Sequence, residues 1–171
     1  MIDLDFKKIQ QYLNEKFDNE VPGIEDSQAI LVDGSKWLDI ATFLKEDKEM
    51  KFDYLMCITS YDKENGSFGV AYNFQSTEYK HYLEVRIEVS NDESIPSVVN
   101  LWNAADWHER EAFDMMGIKF DGHPNLRRIL LPDDWDGYPL RKNFKLIHNY
   151  FLLPQKIFCW QKVKHNLTGG S

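Results

Sequence analysis

Apolar residues recur at helical intervals in LDFKKIQQYLNEKF, where Phe6, Ile9, Leu13 and Phe17 fall on one side, and this predicts an amphipathic first helix. VPGIED breaks the pattern. QAILV follows as a short strand, and Asp33-Gly34 turns the chain into a second short helix marked by Trp37, Ala41 and Leu44. FDYLMCITS is apolar with partial alternation, which predicts a central strand; YDKENG is a hairpin turn, and FGVAYNFQ the returning strand. HYLEVRIEVS alternates most clearly. His81, Leu83, Val85, Ile87 and Val89 share one face, and Tyr82, Glu84, Arg86 and Glu88 the other.

Two helices, then hairpin-linked strands, then more helix predict an α+β fold: an antiparallel sheet with amphipathic helices packed on it. Residues 1–144 are expected to form this domain. Residues 145–171 carry Tyr150, Phe151, Phe158 and Trp160 with few periodic signals. They are expected to form an extended carboxy-terminal arm that orders only when bound.

After the sheet, Ser97 follows Pro96 and is placed to cap a short helical turn. Asn103 and Asp106 resemble a capping box, so a helix is expected from there to Met116, with Gly117 as its left-handed cap. At about 100° per residue, Trp102, Ala105, Ala112, Phe113 and Met116 form the apolar face, while Asp106, Arg110 and Asp114 form a ladder of alternating sign opposite or beside it. Glu109 falls inside the apolar face. A carboxylate there needs a partner, and arginine fits it bidentately. The expectation is therefore that Glu109 or Glu111 pairs with Arg127, Arg128 or Arg141, and that Glu109→Gln costs about 2–4 kcal/mol.

Composition narrows the function. The formal charge is −8, from 20 Lys plus Arg against 28 Asp plus Glu, which disfavours a nucleic-acid backbone as partner. MIDLDFKKIQ lacks a signal-peptide apolar run, and no stretch reaches the about 20 apolar residues of a bilayer-spanning helix. Cys57 and Cys159 are too few for a disulfide framework and form no C-x-x-C.

Three accounts fit the dense stretch WHEREAFDMMGIKFDGHPNLRRIL: a structural lock, a surface recognised by a partner, or a catalytic or metal site. The chemical account is the weakest. His108-Glu109 opens like H-E-x-x-H, but position 112 is alanine; His108, Asp114 and His123 have no compact ligand spacing. There is no G-x-S-x-G, no G-x-G-x-x-G and no phosphate loop. Gly122 is a turn glycine, and His123, biased toward an extended backbone by Pro124, is expected to orient the loop through a ring hydrogen bond.

The same residues resemble a known family. Glu109-Arg110-Glu111, Asp114 and Gly117 reproduce E-R-E-x-x-D-x-x-G, and Gly122-His123-Pro124, Leu126 and Arg128 reproduce G-H-P-x-L-x-R. IPSVVNLWNAADW lies upstream, and DGYPLRKNF, which carries Arg141 and Lys142, lies downstream. Over about residues 30 to 145 the protein thus resembles the 30-kDa subunit of respiratory NADH:quinone oxidoreductase (complex I), the C-type subunit of the bacterial enzyme. Asn103 stands where relatives often have proline, and the tail beyond Phe144 departs from the family pattern.

The resemblance implies a subunit without catalytic residues, flavin, iron–sulfur cluster or metal of its own. It would sit in the peripheral arm on the cytoplasmic face of the bacterial inner membrane, bound to the membrane only through the complex. Its implied partners are the 49-kDa (D-type) subunit and other peripheral-arm subunits. The charged stretch would then be a docking block. Similar chains also occur in membrane-bound hydrogenase-type complexes, the second expectation. A free-standing metal-dependent hydrolase is the third.

Overall fold

The computed structural model describes residues 5–18, 21–24 and 29–145. The expected arm lies outside the described residues from 146 onward. Helix α1 (Phe6–Lys16) buries Ile9 and Leu13, as its spacing requires, with Phe6 and Phe17 packed at the core margin. β1 (Ala29–Val32) leads through a 3-10 turn at Gly34–Lys36, where Asp33 accepts the Ser35 N–H at 2.8 Å, into α2 (Trp37–Glu46). α2 buries Trp37, Ile40, Ala41 and Leu44.

β2 (Tyr54–Asp62), β3 (Ser67–Gln75) and β4 (Tyr82–Ser90) form an antiparallel meander. β1 then joins β4 in parallel, Ala29 opposite Glu84 and Val32 opposite Ile87, so the sheet order is β1-β4-β3-β2. The sheet is thus antiparallel in three strands and mixed as a whole. One expectation changes: β2 is an edge strand, not a central one, and Tyr54 and Met56 are exposed on it. β4 is interior, and its Leu83, Val85, Ile87 and Val89 are all buried.

Beneath the sheet, Trp37 lies 4.6 Å from Tyr72 and Trp102 4.7 Å from Phe74, ring to ring. Trp102 Nε1 donates to Phe52 O at 2.9 Å, so its polar edge is satisfied inside the core. β5 (Ser94–Pro96) pairs in parallel with β6 (Lys119–Asp121), clamping both ends of the segment that carries α3 (Ala105–Met116). α3 starts one residue later than a cap at Asn103 would set and has no side-chain cap. Residues 98–102 form a turn closed by Leu101 and Trp102 N–H on Val98 O, both at 2.9 Å.

Candidate functional site

Glu109 is fully buried, as its place on the helix demands, but the expected arginine is not there. Its carboxylate accepts the Ser97 hydroxyl at 2.6 Å and the Val98 N–H at 2.9 Å, and no described cation reaches it. The turn after Pro96 leaves Val98 N–H pointing inward, and Glu109 is the acceptor it needs. Burial raises the carboxyl to a pKa of about 7; the bonds from Ser97 and Val98 counter only part of that. Burial and the nearby Glu109 charge also push the Tyr72 hydroxyl well above its ordinary value. Glu111 is exposed and has no partner among the described residues.

The arginines serve the other face of α3. Arg128 donates to Asp114 Oδ1 at 2.7 Å and to Asp114 O at 3.1 Å, then to Trp135 O and Gly137 O at 3.2 and 3.0 Å. Asp114 Oδ2 accepts three successive main-chain N–H groups, from Ile129, Leu130 and Leu131, at 3.0, 2.8 and 3.0 Å. Burial raises the Asp114 carboxyl. The bonds from Leu131, Arg128, Leu130 and Ile129 outweigh it and hold the pKa below the carboxylate norm.

Arg110 is also buried. It stacks 5.2 Å from the Trp107 ring and points its guanidinium at Arg127 O and Arg128 O, at 3.3 and 3.5 Å. The expected ladder Asp106–Arg110–Asp114 is therefore absent among the described residues. The loop 127–141 folds over that side of α3 and takes the charges for itself.

Gly117 ends α3 in the left-handed conformation, φ 73° and ψ 23°, with its N–H on Phe113 O at 2.8 Å. A Cβ there would stand 2.5 Å from the Tyr138 ring and 2.6 Å from Arg141. Arg141 donates to Met116 O at 2.6 Å and lies between Phe68 and Tyr138, 4.7 and 4.5 Å from their rings. A cation on the last carbonyls of a helix is placed well for the helix dipole.

His123 orients its loop as expected. Nδ1 accepts Asn125 N–H at 3.0 Å, so Nε2 carries the proton and faces Asp106 O and Oδ1, both at 3.3 Å. Gly122 supplies a positive φ of 80°, while Pro124 and Arg127 are exposed. Lys142 ties the 140s to the β2–β3 hairpin, its N–H on Asp62 at 2.9 Å and its ammonium on Glu64.

Sequence reasoning missed Ser97 as the Glu109 partner and Asp114 as the hub. Pro96-Ser97 carried a signal for the first, because a turn starting after proline leaves N–H groups seeking an acceptor. The hub had no local signal, since its donors lie fourteen to seventeen residues away.

Residues 30–150 match the family described as "Respiratory-chain NADH dehydrogenase, 30 Kd subunit". The protein belongs to that family. The C subunit of NADH-quinone oxidoreductase from Chloroherpeton thalassium is 45% identical over 144 residues, covering 81% of this chain and 60% of that protein. Its counterpart from Chlorobium phaeobacteroides is 39% identical over 145 residues, covering 81% of this chain and 87% of that protein. A chain of the membrane-bound sulfane sulfur reductase, an archaeal respiratory membrane complex, shares the fold with a TM-score of 0.69 at 22% identity, over 84% of this chain and 88% of its own length. In this member of the 30-kDa family, the two motifs recognised in the sequence are the two halves of one lock. The first motif supplies Arg110, Asp114 and Gly117, and the second supplies Arg128 and the loop His123 holds.

Proposed function

We propose that this protein is a non-redox structural subunit of the peripheral arm of a proton-translocating NADH:quinone oxidoreductase. It docks on the 49-kDa subunit near the quinone-reducing region and supports electron transfer from NADH to quinone by the assembled complex. The observation that carries this reading is where the charges go. Asp114 and Arg128 satisfy each other and main-chain groups of 129–137, Arg110 serves Arg127 O and Arg128 O, and Arg141 serves Met116 O, so they fix a surface instead of meeting a reactant. That surface presents Trp107, 64% exposed, with Leu130 and Leu140, and exposed Glu111 and Arg127. An aromatic and arginine group of this kind is what protein interfaces use as anchors.

Residues 145–171 extend the same role as an arm laid across neighbouring subunits, and the complex holds the protein peripherally at the cytoplasmic face of the inner membrane. Among the described residues no helix is long and apolar enough to cross a membrane. Mass spectrometry of the intact native complex, captured through a tag on this protein, tests the reading. A 49-kDa-type partner together with flavin- and NADH-binding chains supports it. A nickel hydrogenase subunit in their place would assign the same scaffold role to a hydrogenase-type complex.

A further inference from the structure

The two edges of the main sheet are finished differently. Along β1, Leu31 N–H donates to Pro22 O at 2.9 Å, Ile24 N–H donates to Ala29 O at 2.8 Å, and Gly23 bridges Ile30. That edge is covered. Along β2, no main-chain hydrogen bond to a described residue reaches the outer side. Lys63 N–H donates to Ser67 O at 3.1 Å, and bonded and non-bonded pairs alternate along an antiparallel ladder. In the register Tyr61–Gly69, Thr59–Ala71 and Cys57–Asn73, the odd-numbered residues therefore turn their main-chain groups to β3. Ile58, Ser60 and Asp62 turn theirs outward.

This edge lacks the usual protection. From Tyr54 to Tyr61 it has neither a charged residue nor a proline, and its one bulge lies at the start, between Leu55 and Cys57. Beside it, Ile58 and Ser60 face Glu111, Met115 and Leu140 across a groove of about 190 Å³. Leu140 is 56% exposed and Met56 43%, which leaves apolar surface near the open edge. Glu111 is the charged group of the groove and has no described partner.

We propose that an extended segment of a partner subunit adds to β2 as a further strand, apolar toward Met115 and Leu140 and carrying a lysine or arginine opposite Glu111. Main-chain bonds to Ile58 and Ser60 supply the pairing, and the groove selects the side chains. The Glu111 carboxylate, without a partner among the described residues and on a protein of net charge −8, sets the sign of the partner. A second copy of this chain fits less well, because two-fold pairing of β2 edges brings two Glu111 carboxylates to one seam. The inference rests on the reading of this protein as a subunit of a larger complex.

Residue-resolved hydrogen exchange on the free full-length protein and on the complex captured through its tag tests the proposal. The Ile58 and Ser60 amides are expected to exchange quickly in the free protein and at least roughly tenfold more slowly in the complex, with Thr59 and Tyr61 slow in both. Ser60→Pro removes only an outward N–H, so the free protein should keep its fold while incorporation into the complex is lost. Glu111→Lys should lower incorporation at least roughly tenfold without touching the main chain. Outward amides that stay fast in a complex that does form would overturn the proposal, as would wild-type incorporation of both variants. Slow Ile58 and Ser60 amides in the free protein would also overturn it, assigning the edge to this chain's own residues 146–171. Failure of the wild-type protein to capture any other subunit would overturn the subunit reading itself, a result separable from these.

Discussion

Arg128 grips Asp114 twice, at the side-chain Oδ1 and at the main-chain O, 2.7 and 3.1 Å away. The first bond is an ion pair. The second reads the helix itself, because it is made to the carbonyl of the residue whose carboxylate it neutralises. With its other terminal nitrogen on Trp135 O and Gly137 O, one side chain fixes α3 and the 135–137 turn together, while Asp114 Oδ2 holds the 129–131 strip.

Removing the hub should therefore cost more than an ordinary surface charge. Asp114→Ala leaves Arg128 without its carboxylate partner and three main-chain N–H groups without their acceptor, and should destabilise the protein by about 3–5 kcal/mol. Denaturant unfolding measures it. A loss under about 1 kcal/mol, the range of exposed pairs, would show that the lock is ornamental.

Two glycines with similar φ angles separate strain from collision. Gly117→Ala meets both a left-handed backbone and the Tyr138 and Arg141 side chains, whereas Gly122→Ala at φ 80° meets no atom within 4 Å. The second should cost about 1 kcal/mol. The first should cost more, about 2–3 kcal/mol, because the αL penalty is joined by overpacking. Equal thermal shifts for the two variants would contradict the packing around Gly117.

Glu109 gives a pH signature. Its folded pKa of about 7 lies above the ordinary value of 4.5, so folding takes up a proton between the two. The contribution is fully favourable below pH 4.5 and is lost as pH rises through about 7, a change of roughly 3 kcal/mol. Asp114 runs the other way. Its lowered pKa contributes stability above its ordinary value of 3.8 that disappears as pH falls through the folded value. Glu109→Gln can still accept from Val98 N–H and donate to Ser97, so it should flatten the decline between pH 4.5 and 7 and be the more stable protein above it. This reverses the cost expected from an arginine partner. Parallel stability profiles for the two proteins would sink the assignment.

The purified protein alone is expected neither to oxidise NADH nor to reduce a quinone, since its buried charges serve its own main chain. Turnover by the protein, free of other subunits, would reassign it as an enzyme.

The parts of this structure that repeat locally were legible in the sequence. Leu83, Val85, Ile87 and Val89 announce β4 by strict alternation, and Gly117 announces the end of α3. β2 was misplaced because an apolar run fits an interior strand as well as an edge. What makes it an edge is the distant choice of β1 to pair with β4. A helical wheel put Glu109 inside correctly, but it set Arg110 and Asp114 opposite or beside the apolar face as a ladder with Asp106, because it contains only one helix. The loop from Arg127 to Arg141 supplies the second wall that buries them.

The parallel union of β1 with β4 also sets an order of events during synthesis. Ala29 leaves the ribosome roughly 55 residues before its neighbour Glu84. At about 5–20 residues per second, the amino-terminal third waits seconds for the strand that completes its core. Over that interval Ile30, Val32 and the inner side of α2 have no sheet to lie against. The hairpins of β2, β3 and β4 close locally, so β1 is expected to be the last strand of the main sheet to find its place. Newborn chains stalled before Ser90 should therefore be the ones that chaperones hold.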